Sequence, residues 1–310
     1  MILYRRPWVT ALAVTLLLLL ANLAVQPSLF KPAILLSNLS SWLPLILVAM
    51  GQTYVVLSGD IDLSIGAIIS LVNVSVVSLI GAFGGGDGAL LLAILCGFAI
   101  GIGAGTINGV LVAALRLQPI VTTFGTGILF AGLALAIMPD AGGTVPDRVF
   151  ETYAGPLLGV PVILWILALA VLFVIALGRT RFGLRALAVG GDAQAAFQTG
   201  LPVTRLRILN YGLAGGFAAL AALCLIGETA TGDPLLGGSY TLSSISALVL
   251  GGTALSGGIG GAIGSLFGAM SLGIINNVIF FARLPFEVQS LIQGIIVLAA
   301  LAVGTLVARR

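Results

Sequence analysis

The sequence predicts an all-α polytopic membrane protein, and three observations support that class. The chain of 310 residues is 59% hydrophobic and only 7% charged, whereas soluble domains carry roughly 25% charged residues. Its apolar runs are as long as helical spans, unlike the short alternating segments of a transmembrane β-barrel. Its 43 glycines suit helices that approach one another closely in a membrane. We therefore predict one transmembrane domain over residues 1–310.

About ten transmembrane helices are predicted when about 20 apolar residues are allowed per span. Some of them are expected to be broken or re-entrant. The spans cover residues 8–25, 33–57, 63–83, 89–115, 119–138, 157–177, 208–227, 241–255, 261–282 and 286–307. The first apolar run is too long for the core of a signal peptide and ends at Gln26–Pro27, so we predict an uncleaved first helix.

The distribution of basic residues predicts that both termini are cytoplasmic. With ten spans, ten of the thirteen basic residues then lie in the cytoplasm, in agreement with the positive-inside rule. Residues 178–207 become a cytoplasmic loop, and residues 139–156 become the main extracytoplasmic segment. The latter is either a plain connector or a docking surface for an extracytoplasmic protein. The cytoplasmic loop holds five of the arginines: Arg179, Arg181, Arg185, Arg205 and Arg207.

A short helix is predicted in the middle of the cytoplasmic loop. Gly190–Gly191 breaks the chain, Asp192 is a candidate N-cap, and Gly200 occupies the position where a left-handed residue ends a helix. The outer face of this helix is small and apolar, which suits insertion into a groove on a partner protein. Its members are Ala193, Ala195, Ala196 and Phe197. The alternative is a solvated loop with ordinary positive-inside arginines.

The residue types that are missing exclude several kinds of site. The chain has no histidine, so histidine metal sites and histidine general bases are excluded. Its only lysine, Lys31, does not follow the glycine of a Walker A motif, so ATP is not bound through such a motif. Cys96 and Cys224 lie in apolar runs and are predicted to be small core residues. We expect no metal and no cofactor in this chain, and the net charge of +3 reflects membrane topology rather than nucleic-acid binding.

Two predicted spans are interrupted by unusual sequence. Residues 51–66, GQTYVVLSGDIDLSIG, place Asp60 and Asp62 between apolar helices. A charge at the bilayer centre costs about 2.5–3.5 kcal/mol, so these carboxylates are expected near the cytoplasmic boundary or in a polar crevice. There they would cap the next helix or contact substrate. Residues 251–268, with many glycines, predict a close helix crossing or a broken helix. Structural or gating roles are predicted for Asp60, Asp62, Ser64, Gly66, Gly251 and Gly252.

Polar side chains inside the spans are candidates for lining a hydrophilic passage. The alternative is that they form hydrogen bonds between helices. The candidates are Gln52, Asn73, Asn108, Thr122, Thr123, Asn276, Asn277 and Gln293.

Four segments, in this order, resemble the permease subunits of monosaccharide-type ABC importers, the ribose, xylose and galactose transport family. They are GQTYVVLSGDIDLSIGAIISL (51–71), QPIVTTFGTGILFAGLAL (118–135), GRTRFGLRALAVGGDAQAAFQTGLPVTRLRILNYGLAG (178–215) and ISALVLGGTALSGGIGGAIGSLFGAMSLGIINN (245–277). The resemblance covers most of the chain from residue 50 onward.

The resemblance implies an inner-membrane permease that translocates a pentose or hexose and performs no covalent chemistry. It implies three protein partners: a second permease copy or paralogue, a cytoplasmic ATP-binding subunit that holds ATP and Mg, and an extracytoplasmic solute-binding protein. The loop around residues 190–200 is then similar to the coupling segment that contacts the ATPase. Its predicted members are Gly190, Gly191, Asp192, Ala195, Ala196, Phe197 and Gly200.

The chain also departs from the family pattern, and other functions remain open. Thr241 and Ser243 stand where the family often has acids, which puts in doubt a role for charge there and the usual sugar. One alternative is an ABC permease for a nucleoside, a branched-chain amino acid or autoinducer-2. Another is an ion-coupled secondary transporter that uses Asp60 and Asp62. A membrane-embedded enzyme is a more distant class, because the sequence offers no nucleophile–base set and no metal ligands.

Overall fold

The computed structural model describes residues 7–283 and residues 291, 292, 294, 295 and 298. Gln293 and most of the predicted tenth span, 286–307, lie outside the described residues. The described part of the chain is helical apart from its connections and one two-stranded hairpin.

Twelve α-helices follow one another along the described chain. They are α1 (Pro7–Val25), α2 (Pro32–Leu57), α3 (Ile65–Ala82), α4 (Asp87–Gly109), α5 (Pro119–Ile137), α6 (Asp147–Ala154), α7 (Val162–Arg179), α8 (Arg181–Gly191), α9 (Ala193–Gln198), α10 (Val203–Thr229), α11 (Tyr240–Leu250) and α12 (Ala262–Phe281). A π-helical turn, Val110–Ala114, continues α4. The hairpin strands β1 (Pro156–Leu157) and β2 (Val160–Pro161) precede α7 and pair antiparallel.

The helices confirm the polytopic membrane class. Among the described residues, eight helices are long and apolar enough to cross a membrane: α1, α2, α3, α4 with its π-helical turn, α5, α7, α10 and α12. Prolines fix two of the starts, because Pro32 and Pro119 occupy the first turns of α2 and α5, where a missing backbone N–H costs nothing. The predicted span 157–177 begins later than expected, at Val162, because the hairpin occupies its first residues.

The predicted eighth span, 241–255, is wrong as a full helical crossing. Helix α11 has 11 residues, which gives a length of about 16 Å, whereas a span needs about 30 Å. Thr241 in its first turn contacts Gly66 near the start of α3, and Leu248 packs with Val56 near the end of α2. The α2 end and the α3 start lie at the same end of the bundle, so α11 does not traverse it.

An irregular segment, Ala230–Ser239, joins α10 to α11 and consists mostly of turns. It runs beside α3, whose side chains pair with its backbone. The Asn73 amide accepts from Asp233 N–H at 2.7 Å and donates to Thr231 O at 3.4 Å, and Ser70 Oγ accepts from Gly237 N–H at 2.9 Å. Non-helical backbone at membrane depth persists only where the protein itself satisfies it. Non-helical chain therefore precedes the short helix of the predicted eighth span.

Small residues let the central helices pack backbone against backbone. A Cβ placed on Gly105 of α4 would lie 2.2 Å from the Tyr211 carbonyl oxygen of α10, and one on Gly215 would lie 2.1 Å from Gly101 O. The same holds where α11 crosses α12, since a Cβ on Gly251 would meet Gly264 at 2.4 Å. The predicted close crossing in residues 251–268 is thus present, and the chain between α11 and α12 is non-helical.

The segment 139–156 closes the opposite end of the bundle. Gly142 pairs with Gly232 in an isolated antiparallel bridge, and Tyr153 of α6 lies against Gly227 of α10. Arg148 forms an ion pair with Asp87 at the start of α4 and donates to Gly85 O at 2.9 Å. This segment is therefore an ordered cap on the helices.

We expect Gly105→Ala to destabilise the protein and Gly103→Ala to leave it unchanged or slightly more stable. Both glycines lie in α4, but a Cβ on Gly103 meets nothing within 4 Å and alanine is the better helix former by about 1 kcal/mol. The melting temperature of the detergent-purified protein measures the effect. Equal melting temperatures for the two variants would show that the α4–α10 contact is looser than described.

Candidate coupling and gating site

The arginine-rich segment 178–207 contains two helices, of which the sequence predicted one. Helix α9 is capped as predicted: Asp192 Oδ1 accepts from Gln194 N–H and Ala195 N–H, each at 2.9 Å. Gly200 follows the helix with φ +82°, a conformation that glycine adopts without strain. The predicted break at Gly190–Gly191 is one or two residues early, because α8 includes both glycines and ends at Gly191.

The prediction that Ala196 belongs to an outward docking face is wrong. Ala196 is 6% exposed and packs with Val189 of α8 and Leu206 of α10. A six-residue helix shows too little periodicity for its inner face to be read from sequence. Phe197 is 72% exposed, and Ala193 and Ala195 are also exposed. The surface available to a partner is therefore Phe197 with its small neighbours, which we call the α9 surface.

Asp60, between α2 and α3, pairs with Arg207 of α10. Arg207 Nε donates to Asp60 Oδ2 at 2.8 Å, and Arg207 Nη2 donates to Asp60 Oδ1. The carboxylate is 2% exposed and the guanidinium side chain 24% exposed. A planar guanidinium that contacts both oxygens is the geometry in which a buried carboxylate is best compensated. The pair holds the α2–α3 connection against the first turns of α10.

Asp62 is fully buried and organises a second set of hydrogen bonds. Its Oδ1 accepts from Ser64 N–H at 2.8 Å and from Ser64 Oγ at 2.6 Å, and Asn108 Nδ2 donates to Ser64 Oγ at 2.6 Å. Gln52 Nε2 donates to the Asp62 carbonyl at 2.7 Å. Burial raises the pKa of Asp62 to about 6, against the hydrogen bonds from Ser64, which lower it. Neither aspartate caps α3, because Ser64 occupies the N-cap position.

Several predicted pathway residues are engaged inside the chain. Gln52 and Asn108 join the Asp62 network, and Asn73 pairs with the irregular segment Ala230–Ser239. Thr123 Oγ1 accepts from Leu63 N–H at 3.0 Å, while the Thr122 hydroxyl donates to the carbonyl oxygen of Gln118, the residue before α5.

The other residues predicted for the pathway or for gating lie outside the Asp62 network. Asn276 and Asn277 sit near the end of α12, the former exposed and the latter half-buried. Gly66 contacts Thr241 at the start of α11, where Thr241 Oγ1 accepts from Gly66 N–H at 3.2 Å. Gly252 adopts φ +81° in the turn after α11.

Sequence reasoning missed two α10 side chains that complete the site. Arg207 was read as one of the loop arginines, and Asn210 was not singled out, although its Nδ2 donates to Ser58 Oγ at 3.1 Å. The two residues are three positions apart in α10 and share a helix face. The signal available was this polar spacing inside an otherwise apolar run.

Breaking the Asp60–Arg207 pair from one side should be costly. We expect Arg207→Met to destabilise the protein by about 3–5 kcal/mol, because a buried carboxylate loses its partner. The Asp60→Asn/Arg207→Met double variant should recover part of that loss, which defines the coupling. Unfolding in detergent micelles with a denaturant series measures both.

The matched control is Arg205→Met, since Arg205 is exposed and has no ion pair within the described chain. Equal destabilisation by Arg205→Met and Arg207→Met would contradict a specific role for the pair.

Known proteins resemble this chain over most of its length. A family model described as branched-chain amino acid transport system / permease component matches residues 34–301. The ribose import permease of Bacillus subtilis is 36% identical over 282 residues, which cover 89% of this chain and 86% of the relative. The L-arabinose transport system permease of Escherichia coli is 32% identical over 257 residues, 82% and 77% of the two chains.

A third relative is named for the import of a different solute. The autoinducer 2 import system permease of Yersinia enterocolitica is 36% identical over 265 residues, which cover 83% of this chain and 71% of the relative. No solved structure is a significant match. The family match extends from the first turn of α2 to beyond the end of α12, so the chain belongs to the family of branched-chain amino acid transport system permease components.

Proposed function

We propose that this chain is the membrane permease subunit of an ATP-driven ABC importer for a monosaccharide, a pentose or hexose. One observation carries the proposal: the match to ribose and L-arabinose permeases runs through the capped helix α9 as well as the spans. Phe197 on the α9 surface is 72% exposed, which suits an apolar groove on a partner. The chain would act in the inner membrane of a bacterium.

The partners follow from this assignment. A cytoplasmic ATP-binding subunit would bind ATP and Mg and dock on the α9 surface. An extracytoplasmic solute-binding protein would deliver the sugar to the end of the bundle that bears segment 139–156. A second permease copy or paralogue would complete the passage.

Ten passes with both termini cytoplasmic remain the proposed topology, with the irregular segment and α11 together forming the eighth pass.

The proposed cycle is a change of conformation driven by nucleotide binding. Closure of the ATPase dimer would move α9 and, because Ala196 packs on Val189 and Leu206, would carry α8 and the start of α10 with it. Arg207 lies one turn beyond Val203 in α10 and holds Asp60. The displacement would therefore reach the α2–α3 connection and bias the spans between outward-open and inward-open states.

An ion-coupled transporter is the second candidate, and one observation favours it. Asp62 is fully buried, and its Oδ2 has no hydrogen-bond partner among the described residues. Buried carboxylates inside a bundle are typical of proton or cation coupling.

Uptake in intact cells separates the two mechanisms. An ABC permease keeps importing radiolabelled ribose or arabinose when an ionophore collapses the ion gradients while ATP stays high, and stops when ATP is depleted. The opposite pattern would establish the ion-coupled mechanism and reject the ABC assignment.

Phe197→Asp should abolish recovery of the ATP-binding subunit in co-purification from the native operon. A carboxylate on the α9 surface would be desolvated without a partner in an apolar groove. The fold should persist, because Phe197 is mostly exposed.

The control is Leu158→Asp, a change at an 88% exposed apolar residue in the hairpin at the other end of the bundle. It should retain the ATPase. Recovery of the ATPase with Phe197→Asp at the wild-type level would place the docking surface elsewhere.

A further inference from the structure

Three chain segments meet backbone to backbone next to α9. They are the end of α2 with Gly59, the end of α8 with Gly190 and Gly191, and the α11–α12 connection with Gly257 and Gly258. We call this contact the glycine junction. The sequence did not predict this contact, because the three segments are far apart along the chain.

The distances leave no room for a side chain at the centre of the junction. A Cβ on Gly190 would lie 1.7 Å from Leu57 O and 2.6 Å from Gly258 N. A Cβ on Gly257 would lie 2.9 Å from Gly190 O and from Gly59 Cα, and one on Gly258 would lie 2.7 Å from Gly191 Cα. Such separations are shorter than those of real Cβ contacts, so the backbones touch directly.

A hydrogen bond ties two of the segments together. Gly258 N–H donates to Leu57 O at 3.1 Å. Gly257 and Gly258 have φ of +86° and +72°, values that residues with a Cβ adopt only at a cost. The α11–α12 connection is therefore folded so that its amide reaches the last carbonyl groups of α2.

The junction lies between the proposed docking surface and the buried polar network. Gly191 is followed by Asp192, which caps α9. Leu57 is followed by the connection that holds Asp60 and Asp62. Gly258 leads through residues 259–261 into α12. Two connections that shape the bundle thus rest on the same turn of α8.

We propose that the glycine junction transmits the displacement of α8 and α9 to the α2–α3 and α11–α12 connections at once, with Gly190 as its positioning residue. This inference rests on the proposed function. Packed side chains absorb small shifts by changing rotamers, whereas backbones in direct contact have no such layer and move together. Gly190 keeps α8 in register with both connections, because the side of its Cα that would bear a Cβ faces Leu57 and Gly258.

Gly190→Ala and Gly178→Ala form the test, because a Cβ on Gly178, in the last turn of α7, meets nothing within 4 Å. Each variant is made in the whole importer, co-purified with its ATP-binding subunit and reconstituted. Gly190→Ala should retain the ATPase, lose the stimulation of ATP hydrolysis by sugar-loaded binding protein, and lose ribose or arabinose uptake. Gly178→Ala should match the wild type in all three measurements.

The outcomes separate the inference from the function beneath it. If the wild-type chain recovers no ATPase, the proposed function fails. If the ATPase is recovered and Gly190→Ala transports and hydrolyses ATP like Gly178→Ala, the junction does not transmit and the inference is overturned. Loss of uptake with stimulation unchanged would also overturn it, because the displacement would then not pass through α8.

Amide hydrogen exchange on the wild-type complex covers the case in which Gly190→Ala fails to fold. The Gly258 amide and the amides of residues 58–64 should change protection together when a non-hydrolysable ATP analogue replaces the nucleotide-free state. The Leu117 amide, bonded to Leu111 O at the α4–α5 connection, is the reference and should not change. Unchanged protection at Gly258 in a complex whose ATPase dimer has closed would overturn the inference.

Discussion

Backbone amides and carbonyls at membrane depth must be paired inside the protein, because hydrocarbon offers no hydrogen bonds. Helices meet this requirement within themselves, but the irregular segment Ala230–Ser239 does not. Asn73 and Ser70 on α3 provide its hydrogen-bond partners, and the Thr241 hydroxyl accepts a hydrogen bond from the Gly66 amide at the start of α3. Polar residues in α3 are therefore committed to holding a broken span in place. Much of the polar character in these spans supports the architecture from which a passage is built.

The sequence predicted the parts of the structure that depend on neighbouring residues. The Asp192 cap and the turn at Gly200 follow from side chains a few positions apart, and Pro32 and Pro119 mark helix starts to within one residue. The partner of Asp60 lies 147 positions away, and only its spacing from Asn210 distinguishes Arg207 from the other four arginines of the segment. The short length of α11 could not be predicted either, because an apolar run does not show how many of its residues form one helix along the membrane normal.

The two candidate functional regions are one region in space. The α9 surface, the Asp60–Arg207 pair and the Asp62 network are separate motifs in the sequence, yet α8 and the first turns of α10 bring them to the same end of the bundle. Buried charges are retained there despite their desolvation cost, which is typical of elements that fix one arrangement of a protein among several. The α9 surface rests on this network, so a displacement of α9 would change the geometry of the network.

The α4–α10 contact determines which parts of the molecule are able to move. Gly101, Gly105 and Gly215 bring two helix backbones together without an intervening side chain, so these helices form a single rigid frame. The α7–α10 interface is different, since Phe173 and Phe217 meet there through their side chains, with ring centroids 6.1 Å apart. Helix α4 with α10 is accordingly the natural reference for superimposing different states of the protein, against which shifts of helices that pack through side chains, such as α7, are measured.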